Sequence, residues 1–324
     1  MIFQKEIKMA NKKLSAFFQM DPFEKLNASS DSTVSIIKEG LKKNIKIWVG
    51  PPGFITFKKS EVITKGCEIL DDGLRMGKTG ELKINKLDFF FIRQDPPFDL
   101  SYLTNCYLLE IHKKFNKKPF FVNDPSGIKN FTEKIFPMYY PDLIPQTYIT
   151  GNLESFKHLL KKYKKVVIKT LFHKGGDGVE KVDIKNPNEA NDEFMKLINQ
   201  YKVPVVVQKF IENVKYGDKR VILLDGNPVG LINRIPPKGQ FKANLHLGGR
   251  AEITNLSNKE KEICKSLKRT LIDEKLFFVG IDLINETLTE VNVTSPTGIV
   301  QIKELSGINI AEKIWDELIA KNNL

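Results

Sequence analysis

The sequence has few of the residues on which several classes of protein depend. Its three cysteines, Cys67, Cys106 and Cys264, are isolated and odd in number, which argues against a disulfide framework and a zinc site. Its four histidines are scattered, so a histidine-centred triad or metal cluster is not expected. No apolar run approaches the roughly 20 residues of a membrane-spanning helix, and the first residues contain no secretory signal. These absences predict a cytoplasmic protein with no membrane partner.

Arginine is also scarce, since only six of the 51 basic residues are arginines. Three of the six, Arg220, Arg234 and Arg250, lie close together in the sequence. The planar guanidinium group binds carboxylate and phosphate in a bidentate way that lysine cannot. We therefore expect these three to contact an anionic ligand, with a surface position as the alternative for any one of them.

The net charge of +12 suggests nucleic acid as a partner. The lysines, however, are spread over the whole chain and mixed with acids, without a basic stripe or an arginine-rich run. A lysine-rich solvated surface is the simpler interpretation. No nucleic-acid partner is predicted, and a basic nucleic-acid-binding protein is the least favoured alternative.

The first half of the chain predicts a parallel α/β sheet, whose ligands bind beyond the carboxyl ends of its strands. The apolar runs that predict strands are residues 14–20, 45–49, 87–92 and 119–122, and the predicted helices are residues 31–43 and 101–116. Residues 56–82 predict short polar strands and turns. Asp21, Arg93 and Asp95 follow strand ends, so they are candidates for substrate contact, or turn and cap residues as the alternative.

A glycine-bearing loop at residues 171–178 lies between two predicted strands, residues 166–169 and 179–183. Glycines allow backbone N–H groups to approach phosphates closely, and Lys169 at the end of the first strand can meet their charge. A plain hairpin turn is the alternative. Further on, residues 235–250 are polar and contain glycines, and they predict a mobile lid.

An acidic hairpin is predicted at residues 277–284 and 288–293, with a three-residue turn at 285–287. This register places Asp282 opposite Glu290, with Asn292 on the same face. It also places Ile284 opposite Leu288 on that face, as expected for the wall of a pocket.

Directly opposed carboxylates about 5 Å apart repel by roughly 3 kcal/mol at an effective dielectric of about 20. A hard divalent cation offsets this repulsion best, and carboxylate and amide oxygens suit Mg²⁺, which completes its shell with water and substrate phosphates. The hairpin therefore predicts a magnesium–nucleotide site. A hairpin with its acids in solvent is the alternative.

The order of these features resembles the bacterial glutathione synthetases of the ATP-grasp superfamily, from about Leu14 to Leu318. The matching segments are residues 19–22, 92–99, 166–169 with the glycine loop, 208–211, 218–221, 233–236, 244–250 and 288–297. The tracts LTEVNVTSP (residues 288–296) and QDPPFD (residues 94–99) are the most distinctive of them.

The resemblance implies an α/β (α+β) chain, in which a Rossmann-like pre-ATP-grasp domain with a parallel sheet precedes an ATP-grasp fold. The N-terminal domain would span residues 10–130 and the ATP-grasp region residues 131–324. Within that region, residues 131–210 would cover the nucleotide, and residues 211–324, with the lid at 235–250, would bind substrate and metal.

The activity implied is that of an ATP-dependent carboxylate–amine ligase that joins γ-glutamylcysteine to glycine through an acyl phosphate. A related ligase with another acid or amine is the alternative. The cofactors would be ATP and two Mg²⁺ ions, with Mn²⁺ as a substitute. Family members are commonly homotetramers, so a homo-oligomer is expected.

The resemblance also assigns site residues. Phosphates would contact Lys134, in a helix-like segment at 131–136, Lys169, Gly175 and Gly176; the adenine would contact Gln208, Lys209, Phe210 and Ile211; and the ribose would contact Asp218. The metal ligands would be Asp282, Glu290 and Asn292. The catalytic residues would be Arg220 and Arg234, facing the transferred phosphoryl group, and Arg250, near the substrate carboxylate. Other substrate contacts would be Asp21, Arg93, Asp95, Ser295 and Thr297.

The chain departs from the family pattern in the glycine loop. Thr170 stands where proline is usual and His173 where glycine is usual, so the loop is expected to be stiffer or differently bent. Lys242 replaces an arginine that some members carry in the lid. These changes bear on substrate choice and turnover more than on fold or ATP use.

Overall fold

The structure, a computed structural model, describes residues 13–23 and 26–322. Residues 10–12, where the predicted N-terminal domain begins, and residues 323–324, where the predicted ATP-grasp region ends, lie outside the described residues. The described chain forms a seven-stranded, a four-stranded and a five-stranded sheet. None of its helices combines the length and the apolar character needed to cross a membrane.

The first sheet contains the parallel strands that the apolar runs predict. Its strands are β1 (Ser15–Met20), β2 (Lys46–Gly50), β3 (Thr56–Lys58), β4 (Glu61–Ile69), β5 (Met76–Lys83), β6 (Phe89–Arg93) and β7 (Phe120–Val122). The order is β3-β4-β2-β1-β6-β7, with β5 on β4, and β2, β1, β6 and β7 run parallel. Helix α1 (Ser32–Lys42) connects β1 to β2, α2 (Leu100–Phe115) connects β6 to β7, and α3 (Pro125–Asn130) follows β7. The parallel sheet is therefore confirmed.

The polar stretch at residues 56–82 forms longer strands than predicted. β4 has nine residues and β5 eight, and both extend the sheet in antiparallel fashion. Thr64 and Gly66 are buried while Lys65 between them is exposed. One face of β4 therefore packs on the core.

The second sheet is antiparallel and carries two helices of its own. Its strands are β8 (Thr147–Thr150), β9 (Lys165–Lys169), β10 (Val179–Asp183) and β11 (Val205–Lys209), in the order β10-β9-β11-β8, with helices α4 (Leu153–Tyr163) and α5 (Pro187–Tyr201). The rings of Phe156 and Phe194 stack with centroids 4.4 Å apart, in a core separate from that of the first sheet. The glycine loop connects β9 and β10.

The third sheet contains the acidic hairpin. Its strands are β12 (Asp218–Leu224), β13 (Asn227–Ile235), β14 (Arg250–Glu252), β15 (Phe278–Ile284) and β16 (Thr287–Asn292), in the order β14-β13-β12-β15-β16. Helix α6 (Asn258–Asp273) begins at a capping box between Ser257 and Glu260, and α7 (Ile299–Ser306) and α8 (Ile310–Asn322) follow the hairpin.

Side chains from distant parts of the sequence lock the third sheet to the first. Asn123, after β7, donates to the carbonyls of Phe278 and Val293 and accepts from the Phe278 N–H, each at 2.7 Å. Trp315 of α8 is fully buried, and its ring nitrogen donates to the Ile36 carbonyl at 2.8 Å. The base of the acidic hairpin is therefore held in place by the N-terminal part of the chain.

Candidate active site

A cavity of about 1080 Å³ lies between the second and third sheets. Seventeen of the twenty site residues expected from the sequence line it: Asp95, Lys134, Lys169, Gly175, Gly176, Gln208, Lys209, Phe210, Ile211, Asp218, Arg220, Arg234, Asp282, Glu290, Asn292, Ser295 and Thr297. The other three, Asp21, Arg93 and Arg250, lie elsewhere. Most of the expected set therefore meets at one place, although it comes from segments more than 150 residues apart.

The acidic hairpin has the expected acid pairing but a different turn. Asn285 and Glu286 form a two-residue turn with φ of 50° and 57°, so that Leu283 pairs with Leu288 and Ile284 with Thr287. The three-residue turn was wrong, and so was the pairing of Ile284 with Leu288. A bulge then adds one residue to β16 and restores Asp282 opposite Glu290.

The bulge also changes which side chains of β16 point into the core and which point into the cavity. Leu288 is fully buried in the core with Val291, so it does not share the acidic face as the sequence had suggested. Thr289 lines the cavity instead, and its hydroxyl donates to the Asp282 carbonyl at 3.0 Å.

Arginine, not only a metal, offsets the charge of Asp282. Nε and Nη2 of Arg220 donate to its two oxygens at 2.5 and 2.9 Å, and Nη2 of Arg234 lies 3.0 Å from Oδ1. Burial by itself would raise the pKa of Asp282, but the two arginines outweigh it and hold that pKa well below its usual range. Two guanidinium groups therefore supply the counter-charge to Asp282 that the sequence had suggested for a divalent metal ion.

Glu290 faces a different cation. Its Oε1 lies 3.1 Å from Nζ of Lys134, which is buried and also donates to the His173 carbonyl at 2.6 Å. Burial would lower the pKa of Lys134, but Glu290 and Glu133 outweigh it and raise that pKa. Lys134 therefore joins the acidic hairpin to the glycine loop. It lies in a turn, since the helix expected at residues 131–136 is absent and a helical turn begins only at Phe136–Tyr139.

The donor set of the hairpin suits a hard divalent cation. Asp282 and Glu290 supply carboxylate oxygens, and Asn292 Nδ2 lies 3.4 Å from Asp282 Oδ2, so its amide is beside the acid pair. No group of three or more His, Cys, Asp or Glu side chains is placed to hold a metal ion in residues 13–23 and 26–322. Two carboxylates and an amide match an ion that keeps water and phosphate among its ligands.

Lys169 differs from Lys134, whose ammonium group has two partners. It is half-buried, and its side chain has no hydrogen bond or ion pair within the described chain. Burial lowers the pKa of Lys169. A half-buried ammonium without a partner favours an anionic ligand, because binding would supply the missing counter-charge.

Asp218 and Arg234 form the far wall. Nη2 of Arg234 donates to Asp218 Oδ2 at 2.7 Å, while Asp218 Oδ1 is buried and has no partner within the described residues. Burial raises the pKa of Asp218 to about 6 even though Arg234 opposes the shift. Asp218 Oδ1 can therefore accept from a hydroxyl of a ligand.

The glycine loop and the lid segment lie against each other. Gly175 and Gly176 have φ of 69° and 82°, and a β-carbon built on Gly175 would come within 3.1 Å of the His246 ring. The expected lid, residues 235–250, starts and ends on a short ladder, where Ile235 pairs with Arg250. Lys242 in this segment lies 3.4 Å from Glu180 of β10.

The segment at residues 208–211 forms a polar and aromatic edge of the cavity. Gln208 is buried and donates to the Thr147 hydroxyl at 2.8 Å. The Phe210 ring lies edge-on to Phe241, with centroids 6.1 Å apart, and Nζ of Lys181 lies 5.2 Å from its centroid.

Three expected site residues do not line the large cavity. Arg93 is buried and donates to the Thr33 hydroxyl and the Pro296 carbonyl at 3.0 Å each. Its bond to Pro296 supports the segment at residues 295–297 from outside the large cavity. Asp21 lines a smaller cavity beside the large one. Arg250 is exposed and pairs with Glu252 at 2.5 Å, so the structure does not bring it together with Arg220 and Arg234.

Glu133, Lys174, Phe241 and His246 are among the residues that line the large cavity and that sequence reasoning missed. Glu133 accepts from the Thr294 hydroxyl at 2.6 Å, and burial, with the charge of Glu290, raises its pKa to about 7. Its position directly before Lys134 was the available signal. The other three lie in loops, where no periodic pattern identifies the side chains that point inward.

Solved structures place the fold among the ATP-grasp ligases. D-alanyl-alanine synthetase A from Vibrio cholerae superposes with a TM-score of 0.63 at 16% identity, covering 96% of this chain and 99% of that one. The ATP-grasp ligase PsnB, with a minimal precursor variant, Mg and ADP bound, superposes with the same TM-score at 14% identity, covering 96% and 99% of the two chains. The described fold is therefore an ATP-grasp fold.

The family follows from sequence comparison. The model of the prokaryotic glutathione synthetase N-terminal domain matches residues 14–129, and that of the ATP-grasp domain of the same family matches residues 133–307. Glutathione synthetase from Bradyrhizobium diazoefficiens is 36% identical over 95% of this chain and 99% of its own length, and that from Brucella melitensis is 33% identical over the same shares. The chain belongs to the prokaryotic glutathione synthetase family and is an ATP-dependent peptide ligase. This family implies the use of ATP and a divalent metal.

Proposed function

We propose that this protein joins the cysteinyl carboxylate of γ-glutamylcysteine to the amine of glycine and releases glutathione, ADP and phosphate. The observation that best supports it is the meeting of two lysines, two arginines and the acid pair in one cavity between two antiparallel sheets. Transfer of a phosphoryl group from ATP to a carboxylate needs this combination of cations and metal-binding oxygens.

The chemistry proceeds in two displacements. The cysteinyl carboxylate oxygen attacks the γ-phosphorus of ATP, the bond to the bridging oxygen breaks, and ADP leaves an acyl phosphate behind. The glycine nitrogen then attacks the acyl carbon, phosphate departs with the bonding electrons, and the nitrogen gives up its extra proton. No nucleophilic side chain is needed, so positioning and charge stabilisation carry the catalysis.

In this proposal the lysines and the arginines of the cavity bind different groups. Lys169, which lacks a partner, and Lys134 would contact the phosphates, with Gly175 and Gly176 above them. Arg220 and Arg234 would keep Asp282 oriented and ionised, and would place positive charge where the transferred phosphoryl group passes. We retain Arg250 as a substrate-carboxylate residue only on the basis of the resemblance.

Asp282, Glu290 and Asn292 would hold the divalent metal, which we propose to be two Mg²⁺ ions that Mn²⁺ can replace. Bound there, the metal would neutralise the phosphates. The free oxygen of Asp218 would accept from a ribose hydroxyl, and residues 208–211 would border the adenine. The remaining substrate contacts would come from Asp21, Asp95, Ser295 and Thr297, with Arg93 acting through the Pro296 carbonyl.

We retain the division into residues 10–130, 131–210 and 211–324, with glycine and γ-glutamylcysteine as the small-molecule partners and a homotetramer as the assembly. The dependence on ATP and the three free thiols favour the cytoplasm, where cysteines stay reduced.

A phosphate-release assay tests the proposed function. With ATP and Mg²⁺, the purified protein should release phosphate only when both γ-glutamylcysteine and glycine are present, and mass spectrometry should detect glutathione. Release that is independent of either substrate would contradict the proposal. The departures at Thr170 and His173 favour a related ligase as the second candidate, which a panel of other acids and amines would reveal in the same assay.

A further inference from the structure

One ion pair forms the wall between the large cavity and a smaller one. The smaller cavity has a volume of about 330 Å³ and is polar, with Asp21, Gln94, Asp99 and Ser101 among its lining residues. Asp95 and Lys174 line both cavities, and the Lys174 ammonium pairs with the Asp95 carboxylate. A molecule that extends from one cavity to the other must therefore pass this pair.

The two partners come from different sheets. The loop of Asp95 follows β6, and its backbone N–H donates to Asp21 Oδ2 at 3.2 Å. Lys174 lies in the glycine loop, which is attached to the same region because the Phe98 N–H donates to the Phe172 carbonyl at 2.8 Å. Both loops are thus fixed by backbone bonds that do not depend on the ion pair.

The ion pair itself is easily exchanged. The Lys174 side chain is 51% exposed and that of Asp95 is 30% exposed, and exposed pairs of this kind are worth only about 0–1 kcal/mol. A zwitterion that presents an ammonium to Asp95 and a carboxylate to Lys174 would replace each charge with an equivalent one. No charge would be left uncompensated during this exchange.

We propose that Asp95 and Lys174 together recognise the α-amino-acid head group of the γ-glutamyl substrate. Asp95 would accept from the α-ammonium group and Lys174 would donate to the α-carboxylate, with the head group in the smaller cavity. The cysteinyl end would then extend into the large cavity towards Arg220 and Arg234. This inference rests on the proposed function, and Lys174 is its new residue, supplied by the segment in which the chain departs from its family.

Lys174→Gln, tested with two substrates, examines the contact with the carboxylate. The substrates are γ-glutamylcysteine and 4-aminobutyrylcysteine, which lacks the α-carboxylate. Loss of a charged hydrogen bond should raise the KM for γ-glutamylcysteine about 10- to 100-fold. The KM for 4-aminobutyrylcysteine and the KM for ATP should stay within about twofold, because neither ligand uses the lysine. Lys185→Gln, on the exposed start of the segment after β10, is the matched control and should change neither.

Asp95→Asn examines the other half of the pair with glutarylcysteine, which lacks the α-amine. This variant should raise the KM for γ-glutamylcysteine and leave the KM for glutarylcysteine unchanged. Lys174→Arg keeps the charge and should restore most of the affinity for γ-glutamylcysteine, which separates the loss of a contact from the loss of the fold.

Two results would overturn the inference. If Lys174→Gln raises the KM for ATP instead, the lysine contacts the phosphates. If the variant raises the KM for both peptide substrates equally, the lysine affects only the conformation of the loop. Both results leave the wild-type reaction intact. Failure of the wild-type protein to release phosphate with γ-glutamylcysteine and glycine would contradict the proposed function itself, so the two failures are distinguishable.

Discussion

The acidic hairpin and the glycine loop are both parts of the candidate active site, but they are held in different ways. The hairpin is fixed by its own ladder, by the neighbouring strand β12 and by Asn123 beneath it. The glycine loop is held by single contacts to two distant segments, because Phe172 and Lys174 contact the loop at residues 95–98 and the His173 carbonyl accepts from Lys134. The hairpin is therefore a rigid platform, while the position of the glycine loop depends on a few side-chain and backbone contacts.

The largest effect should follow from Asp282→Asn, which removes the charge at the centre of the platform. Phosphate release should fall about 100- to 1000-fold, as when a group that stabilises transition-state charge is removed. The free energy of unfolding should also fall by about 3 kcal/mol, because Arg220 and Arg234 lose a buried counter-charge. The assay and urea denaturation measure the two effects.

The control for this change is Glu286→Gln, in the turn of the same hairpin and outside the residues that line the cavity. It should leave both quantities close to wild type. Unchanged activity in Asp282→Asn would show that the acid is structural rather than part of the reaction.

Lys169→Met and Lys134→Met should have different effects, because the Lys169 ammonium has no partner among the described residues, whereas the Lys134 ammonium has two. Lys169→Met should raise the KM for ATP about 10- to 100-fold, the effect of losing a charged hydrogen bond. It should not lower the stability of the protein, since no internal partner is lost.

Lys134→Met should instead lower the free energy of unfolding by about 1–3 kcal/mol, because Glu290 and the His173 carbonyl both lose a buried donor. Thermal denaturation without nucleotide and ATP titration provide the two readouts. Equal loss of stability in both variants would contradict the contrast.

The buried acid beside the platform predicts a dependence of stability on pH. Burial raises the pKa of Glu133 from 4.5 to about 7, so the folded protein holds a proton that the unfolded chain releases above pH 4.5. The contribution of Glu133 to stability therefore decreases as the pH rises from about 4.5 to about 7, by about 3 kcal/mol.

Glu133→Gln should remove this decrease. The difference in unfolding free energy between wild type and variant, measured by denaturation at several pH values, should grow with pH and level off above pH 7. Asp218, whose pKa is raised to about 6, remains in both proteins and cancels in the difference. A difference that does not change with pH would contradict the protonation of Glu133.

The smallest effect concerns the turn of the hairpin. Glu286 has φ of 57°, a conformation that glycine adopts without strain, and Asn-Gly is the preferred pair for such a turn. Glu286→Gly should stabilise the protein by about 0.5–1 kcal/mol, as measured by denaturation. Glu286→Ala removes the same side chain without this freedom and should bring no gain; an equal gain would rule out backbone strain as the cause.

The local patterns of the sequence predicted much of the fold. The apolar runs that became β1 and β6 lie between polar turns, and their burial on both faces leaves few alternatives to a parallel sheet. The pairing of Asp282 with Glu290 was also predicted, although the predicted turn has one residue more than the observed one. The prediction is still correct because the bulge at Thr289 adds one residue to β16 and so compensates for the shorter turn. The bulge could not be foreseen, since its polar residue fits the alternating pattern as well as a regular strand residue would.

The sequence by itself determined which chemical groups the site contains: lysines and scarce arginines for phosphate, and two acids and an amide on one strand pair for a metal. Strand periodicity and residue type are local properties, so they can be read without the fold. Only the tertiary structure decided which charges face each other, that Arg220 and Arg234 belong to Asp282, that Lys169 has no partner among the described residues, and that Lys174 reaches Asp95. Such pairings depend on the packing of segments far apart in the chain, which no spacing between neighbouring residues encodes.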